Sequence, residues 1–302
     1  MMVRKESLCA SSRKMDMGMI GAGGAMLSAF LYGLNAFFAT CAYEGGSNPI
    51  AFTFHSSALG ALVLFLIMIK KKIPVLPKKD MAPWLLLDGV FGGSTTLLLF
   101  SAFDLISTGI ATVLHFTYPV YVSVLGIWVL KKKLTKGKGI ALGLSLAGIV
   151  LTSDLSGQGA GPGIFLALLS GLTYAGYILV MEKTGLHKAD FIWFGFYMLL
   201  IRMLVTVLYG GFAGGLSVSL TRAAWVMTVV YALISCVAAN ALFQFGVRYV
   251  GGAAASLFSM LEPVTCVLVG VTLLGETLNS VKVLGCMLIL AGILIVIREE
   301  NS

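Results

Sequence analysis

A few polar residues in this sequence stand where an apolar chain has reason to avoid them. Glu262 sits beside Pro263 near the middle of Gly252–Leu278, a run of apolar and small residues. A carboxylate in hydrocarbon is expensive, and a proline frees a backbone carbonyl, so the pair fits a helix lining protein or a watery cavity. Glu262 could carry a proton or meet a cationic group of a ligand; otherwise it serves the freed backbone around Pro263. His115 lies one turn before Pro119. Its imidazole can change charge near neutral pH, or it can be a hydrogen-bonded buried histidine. Arg202 lies inside an apolar run and cannot discharge. It needs a partner there, either a substrate carboxylate or a structural pair with Glu262 or Asp88. Asp88, two turns into its own apolar run, fits either an inner vestibule or a solvated interface.

Helical spacing adds a second group. Ser28, Tyr32 and Asn35 share one face of the first apolar run, and Ser170, Tyr174 and Tyr177 stand in register on the sixth. Tyrosines can stack on a flat or cationic part of a ligand and bond its polar end, or they can form ordinary aromatic core. The candidate binding set is Tyr32, Asn35, His115, Tyr118, Tyr174, Tyr177, Arg202, Ser259 and Glu262, with Pro119 and Pro263 as hinges. Asn240 and Gln244 share a face of the eighth run and are weaker candidates. No catalytic set, metal site or cofactor is expected. The five cysteines show no CxxC or Cys/His ligand spacing.

These residues need membrane helices to position them. The stretch around Pro119 aligns with the one around Pro263, bringing Gly126 onto Gly270 and Leu146–Ile149 onto Leu290–Ile293. Paired proline-interrupted segments in two halves of a chain point to a transporter's binding site. One face of the first copy carries Thr108, Thr112, His115, Pro119, Val122 and Gly126. The matching face of the second carries Ala255, Ser259, Glu262, Cys266 and Gly270. Both are narrow, small and polar, fit for a cavity lining or for close helix packing.

The expected fold is all-α: ten transmembrane helices arranged as two inverted five-helix repeats. The spans read as 18–42, 48–69, 82–103, 108–130, 138–153, 162–182, 190–211, 222–245, 251–274 and 280–297. The first repeat covers 18–153, a linker 154–161, and the second repeat 162–297. Five is odd, so related halves must cross in opposite senses. A chain 58% hydrophobic and 11% charged is polytopic rather than a soluble globule. With both termini cytoplasmic, 18 of the 21 Lys and Arg residues fall on the cytoplasmic side and only Arg222 and Lys282 on the other. The net charge of +8 follows from that pattern and implies no nucleic acid.

The sequence Ser259-Met260-Leu261-Glu262-Pro263-Val264, then Leu273-Leu274-Gly275-Glu276 and Leu290-Ala291-Gly292-Ile293, resembles the EamA-type members of the drug/metabolite transporter superfamily. The weaker copy at Tyr118-Pro119-Val120 belongs to the same likeness, which covers residues 18–297. It implies ten helices, a central cavity and alternating access. It differs after span four, where Lys131-Lys132 replaces the family's usual Gly-Glu. No symmetric role is therefore given to Glu276. The expected function is secondary transport of a small polar organic metabolite across the cytoplasmic membrane, with amino acids and efflux favoured. A multidrug or cation exporter is the alternative. The cargo and the lipid bilayer are the expected partners, and proton coupling is left open. A membrane-embedded enzyme would need a nucleophile–base pair or metal ligands, which the spacing does not supply. A membrane scaffold would not account for paired broken helices with buried charges.

Overall fold

The computed structural model describes residues 2–300, apart from 78, 104, 107, 132, 153–160, 214–218 and 274–278. Most of the expected linker, together with Lys132, Leu274, Leu278 and Glu276, lies outside the described residues. So do the side chains of Thr108, Cys266 and Gly270.

The regular structure of the described residues is all helical, joined by turns and short irregular segments. The helices are α1 (Met2–Tyr32), α2 (Asn35–Glu44), α3 (Pro49–Lys71), α4 (Ala82–Phe103), α5 (Thr108–His115), α6 (Tyr118–Val129) and α7 (Lys136–Thr152). They continue as α8 (Gly161–Lys183), α9 (Phe191–Ala213), α10 (Arg222–Tyr231), α11 (Asn240–Phe258), α12 (Glu262–Leu273) and α13 (Ser280–Glu300). A π-helical stretch, Ala232–Ala239, joins α10 to α11, and a 3-10 turn, Ser259–Leu261, joins α11 to α12. Among the described residues, six helical stretches are long and apolar enough to cross a membrane: Met17–Glu44, Pro49–Lys71, Ala82–Leu99, Gly161–Lys183, Phe191–Gly210 and Arg222–Val269. Their outward faces carry exposed Leu62, Leu66 and Ile69 on α3 and Leu204 and Leu208 on α9. Such apolar exteriors suit lipid, and helices satisfy their own backbone groups there.

Local chemistry accounts for the helix limits. Asn48 opens α3 by accepting the Ala51 N–H at 2.8 Å, with Pro49 at the first turn where a missing N–H costs little. Thr221 caps α10 in the same way through Ala224. Within α11, Gly251 takes φ 81° and ψ 162°, a conformation open essentially to glycine alone, and breaks the helix there.

Small residues set the helix contacts. α7 packs along α13, and each presents the glycine of its Leu-Ala-Gly-Ile sequence to the other. A Cβ on Gly148 would stand 2.5 Å from the Gly285 carbonyl, and one on Gly292 would stand 2.7 Å from that of Ala141. The repeated tetrapeptide is thus a reciprocal close approach of two backbones. α4 lies against α8, α1 against α11, and α3 against α9. Around these contacts runs the largest buried cluster, which includes Phe116, Tyr118, Tyr177, Phe194, Phe243 and Phe258.

Candidate functional site

Both proline segments are interrupted, and in each the interruption falls just before the proline. α5 ends at His115, Phe116 and Thr117 form a turn, and α6 starts at Tyr118-Pro119. On the other side the 3-10 turn Ser259–Leu261 runs into Glu262-Pro263. Proline at 119 leaves the His115 carbonyl without its usual helical donor. Gly171 of α8 packs directly on that carbonyl, since a Cβ there would stand 2.8 Å from it. The other interruption receives Gly33, in the turn between α1 and α2, where any side chain would collide with Thr265 and the Glu262 carbonyl. The expected first span is therefore broken at Gly33-Leu34, a break the sequence reading did not include.

The aromatic candidates meet at these turns. The rings of Tyr118 and Tyr174 stand edge to face at 4.7 Å, and Tyr174 stacks on Tyr177 at 5.7 Å and on Phe243 at 6.0 Å. His115 lies 5.5 Å from the Tyr118 ring and 5.7 Å from that of Tyr174. Its Nδ1 is 2.9 Å from the Ser170 hydroxyl, whose own proton goes to the Ala167 carbonyl at 2.7 Å. The Tyr118 hydroxyl lies near Ser259, whose own proton goes to the Ala255 carbonyl at 3.0 Å. Glu262 is within electrostatic reach of the hydroxyls of Tyr32, Tyr118 and Tyr174. One carboxyl, one imidazole and three phenols thus converge on the two helix breaks, drawn from α1, α5, α6, α8 and α12. Such a set can hold a cationic group between π faces and a carboxylate.

A second polar group surrounds Arg202. Arg202 of α9 donates from Nε to the Ser57 hydroxyl at 2.7 Å and from Nη2 to the Cys236 sulfur at 2.9 Å. These partners are neither Glu262 nor Asp88, the two carboxylates the sequence offered for it. Asn35 accepts a hydrogen bond from Ser235 at 2.5 Å, so it stands with this second group rather than with the tyrosines. Tyr32 is within electrostatic reach of both Arg202 and Glu262. Asp88 is fully buried, which removes the solvated-interface reading. Gln244 and Asn240 bond to each other at 2.6 Å.

Two features were missed in the sequence. Glu182, at the end of α8, accepts the Gly252 N–H at 2.9 Å, directly after the Gly251 break. Ser57 and Cys236 carry the arginine, yet a serine and a cysteine in apolar runs gave no sign of it. A small cleft of about 50 Å³ runs between α6 and α11. Val122 and Gly126 of the expected cavity face line it, with Val250 and Ala254 opposite and Lys133 and Lys138 near its mouth. Among the described residues, no three His, Cys, Asp or Glu side chains are grouped to hold a metal.

Comparison with known proteins agrees with this architecture. A solved crystal structure superposes with a TM-score of 0.79 over 93% of this chain and 96% of the other, at 17% identity, which establishes the fold. The uncharacterized transporter YwfM of Bacillus subtilis is 29% identical over 285 residues, 90% of this chain and 91% of its own length. An uncharacterized transporter of Synechocystis sp. is 24% identical, and the match spans 68% of this chain and 64% of that protein. Human solute carrier family 35 member G1 is 24% identical over 58% of this chain and 51% of its own length. The model of the EamA-like transporter family matches twice, over residues 19–154 and 161–298, and the chain belongs to that family.

Proposed function

We propose that this protein is a secondary transporter that moves a small, amine-bearing polar metabolite across the cytoplasmic membrane by alternating access, with amino acids as the favoured cargo and efflux as the favoured direction. The observation that carries this reading is the convergence of Glu262 with Tyr32, Tyr118, Tyr174 and His115 at the two helix breaks. An ammonium group fits between a carboxylate and tyrosine faces.

The supporting architecture is ten spans in two inverted repeats, 18–153 and 162–297. Arg222–Val269 holds 48 residues, which as helix would rise about 72 Å against a hydrocarbon core of about 30 Å. It therefore makes two crossings, divided at Gly251. The fourth span is α5 with α6, each too short alone. Exchanging spans one to five for six to ten carries the α4–α8 contact onto α1–α11, and it carries the approach of span six to the first break, at Gly171, onto that of span one to the second, at Gly33 one turn out of register. The two separate family matches fall on the same two halves.

One observation favours the second reading, a transporter of organic cations. Arg202 already has two side-chain partners, so its fork is not open to a cargo carboxylate in this structure. Counterflow in proteoliposomes decides between them. Purified protein preloaded with an unlabelled amino acid should accumulate the labelled one, and Glu262→Gln should slow this markedly. Counterflow of quaternary ammonium compounds alone selects the cation reading. Counterflow with neither removes the transport reading.

A further inference from the structure

Asp88 stands six residues into α4, about 9 Å of helical rise from its start beside the lysine-rich segment 70–79. It is fully buried, and neither carboxyl oxygen makes a hydrogen bond within 3.5 Å; the Met181 N–H of α8, a neutral donor, is the backbone group that faces it. The hydroxyl of Tyr177, on α8 beside it, likewise makes no hydrogen bond. Two close helix approaches seal the place. A Cβ on Gly89 would stand 2.5 Å from Ile201 of α9, and one on Gly92 would stand 3.3 Å from the Tyr177 ring.

The groups that could neutralise a carboxylate here are engaged elsewhere. On α8, Glu182 holds the Gly252 N–H. On α9, Arg202 passes behind Gly93 and points its guanidinium to Ser57 and Cys236. On α5, His115 is bonded to Ser170. On α3, His55 packs on Trp225 at 4.9 Å, and Lys70 and Lys71 lie exposed at the helix end. A sealed, unpaired carboxylate anion costs far more than a neutral buried acid, so something must cancel the charge. A metal cation would need several oxygen ligands, and the carboxyl with one phenol supplies too few.

We propose that Asp88, sealed beneath Tyr177, is a proton-binding site separate from Glu262. In the closed arrangement the carboxyl holds one proton. Parting of α4 from α8 on the lysine-rich side exposes it, and the proton leaves to water. Its use in coupling rests on the transporter reading above; its occupancy does not.

Infrared difference spectroscopy of the purified protein near neutral pH tests the occupancy without any cargo. The wild type should show the carbonyl stretch of a protonated carboxylic acid. Asp88→Asn should lose that band, and Glu262→Gln should keep it. Should Asp88→Asn not fold, isotope-labelled aspartate in the wild-type chain answers the same question, because the band must move with the label. Absence of the band, its persistence in Asp88→Asn, or its indifference to the label overturns the proposal. A thermal stabilisation by sodium ions that Asp88→Asn abolishes also overturns it, since the occupant would then be a metal cation. Failure of counterflow in protein that still shows the band would reject the transport reading and leave the proton site standing.

Discussion

His115 shows how neighbouring bonds decide what a side chain offers. Ser170 gives its single hydroxyl proton to the Ala167 carbonyl, so toward His115 it can only accept. Nδ1 must then be the protonated nitrogen, and Nε2 is left with its lone pair when the ring is neutral. This tautomer follows from the assigned network. Asparagine can place an N–H where Nδ1 stands and glutamine cannot. His115→Asn should therefore keep the melting temperature close to wild type, while His115→Ala should lose roughly 1 kcal/mol in thermal unfolding. A double variant, His115→Gln with Glu262→Gln, should change the pH dependence of transport, leaving only what Asp88 contributes. An unchanged rate and pH profile would remove both residues as proton carriers. Arg202 calls for a different measurement. Its planar fork meets two partners at once, and lysine has no fork. Arg202→Lys is expected to lower stability by about 1.5–3 kcal/mol, the range for hydrogen bonds to charged groups. A variant that melts like wild type yet binds carboxylate-bearing cargo less tightly would instead make the arginine a cargo contact.

At the scale of helices, the sequence located the two interruptions to within a turn because proline acts through local chemistry. It gave no warning of the break at Gly33-Leu34 or of the Glu182–Gly252 bond. A glycine in an apolar run is read the same way whether it packs or turns, and Glu182 meets a partner 70 residues away. The paired Leu-Ala-Gly-Ile sequences were visible, but not the fact that each glycine meets the other's helix. The aromatic cluster was only half legible. Helical spacing aligned Tyr174 with Tyr177, while Phe243, which stacks on Tyr174, lay on another helix and looked like core. Gly251 and Glu182 together fix where α11 breaks and restarts. Gly251→Ala should cost about 1–3 kcal/mol, because the backbone there lies where a Cβ is strained. Glu182→Ala removes an acceptor from the restarted helix and should cost about 0.5–2 kcal/mol, as loss of a helix cap does, with Glu182→Gln losing less. Urea or thermal unfolding in detergent checks both.

On the whole molecule, contacts between distant segments sort the loops to two ends. Gly45 accepts a hydrogen bond from the Thr221 N–H at 3.1 Å, joining the turn after α2 to the start of α10. At the other end, the Tyr197 hydroxyl donates to the Val75 carbonyl at 2.5 Å, and Thr135 donates to Glu299 at 2.6 Å. Residues 75 and 135 lie within or beside the lysine-rich segments 70–79 and 131–138, and residue 299 follows Arg298. Residues 45 and 221 have only Arg222 nearby. Lysine and arginine are retained on the cytoplasmic side of short loops, so the end with Val75 and Glu299 is expected to face the cytoplasm. Impermeant thiol labelling of intact cells tests this, and burial selects the positions. Ser47 belongs to the right turn but is buried, whereas Glu44 and Lys79 are exposed. In a chain cleared of its own cysteines, Glu44→Cys should react from outside and Lys79→Cys only after the membrane is opened. Reaction of Lys79→Cys in sealed cells would invert the molecule. Reaction of both would remove α3 as a span, and with it the proposed odd number of crossings that would make the two halves opposite in sense.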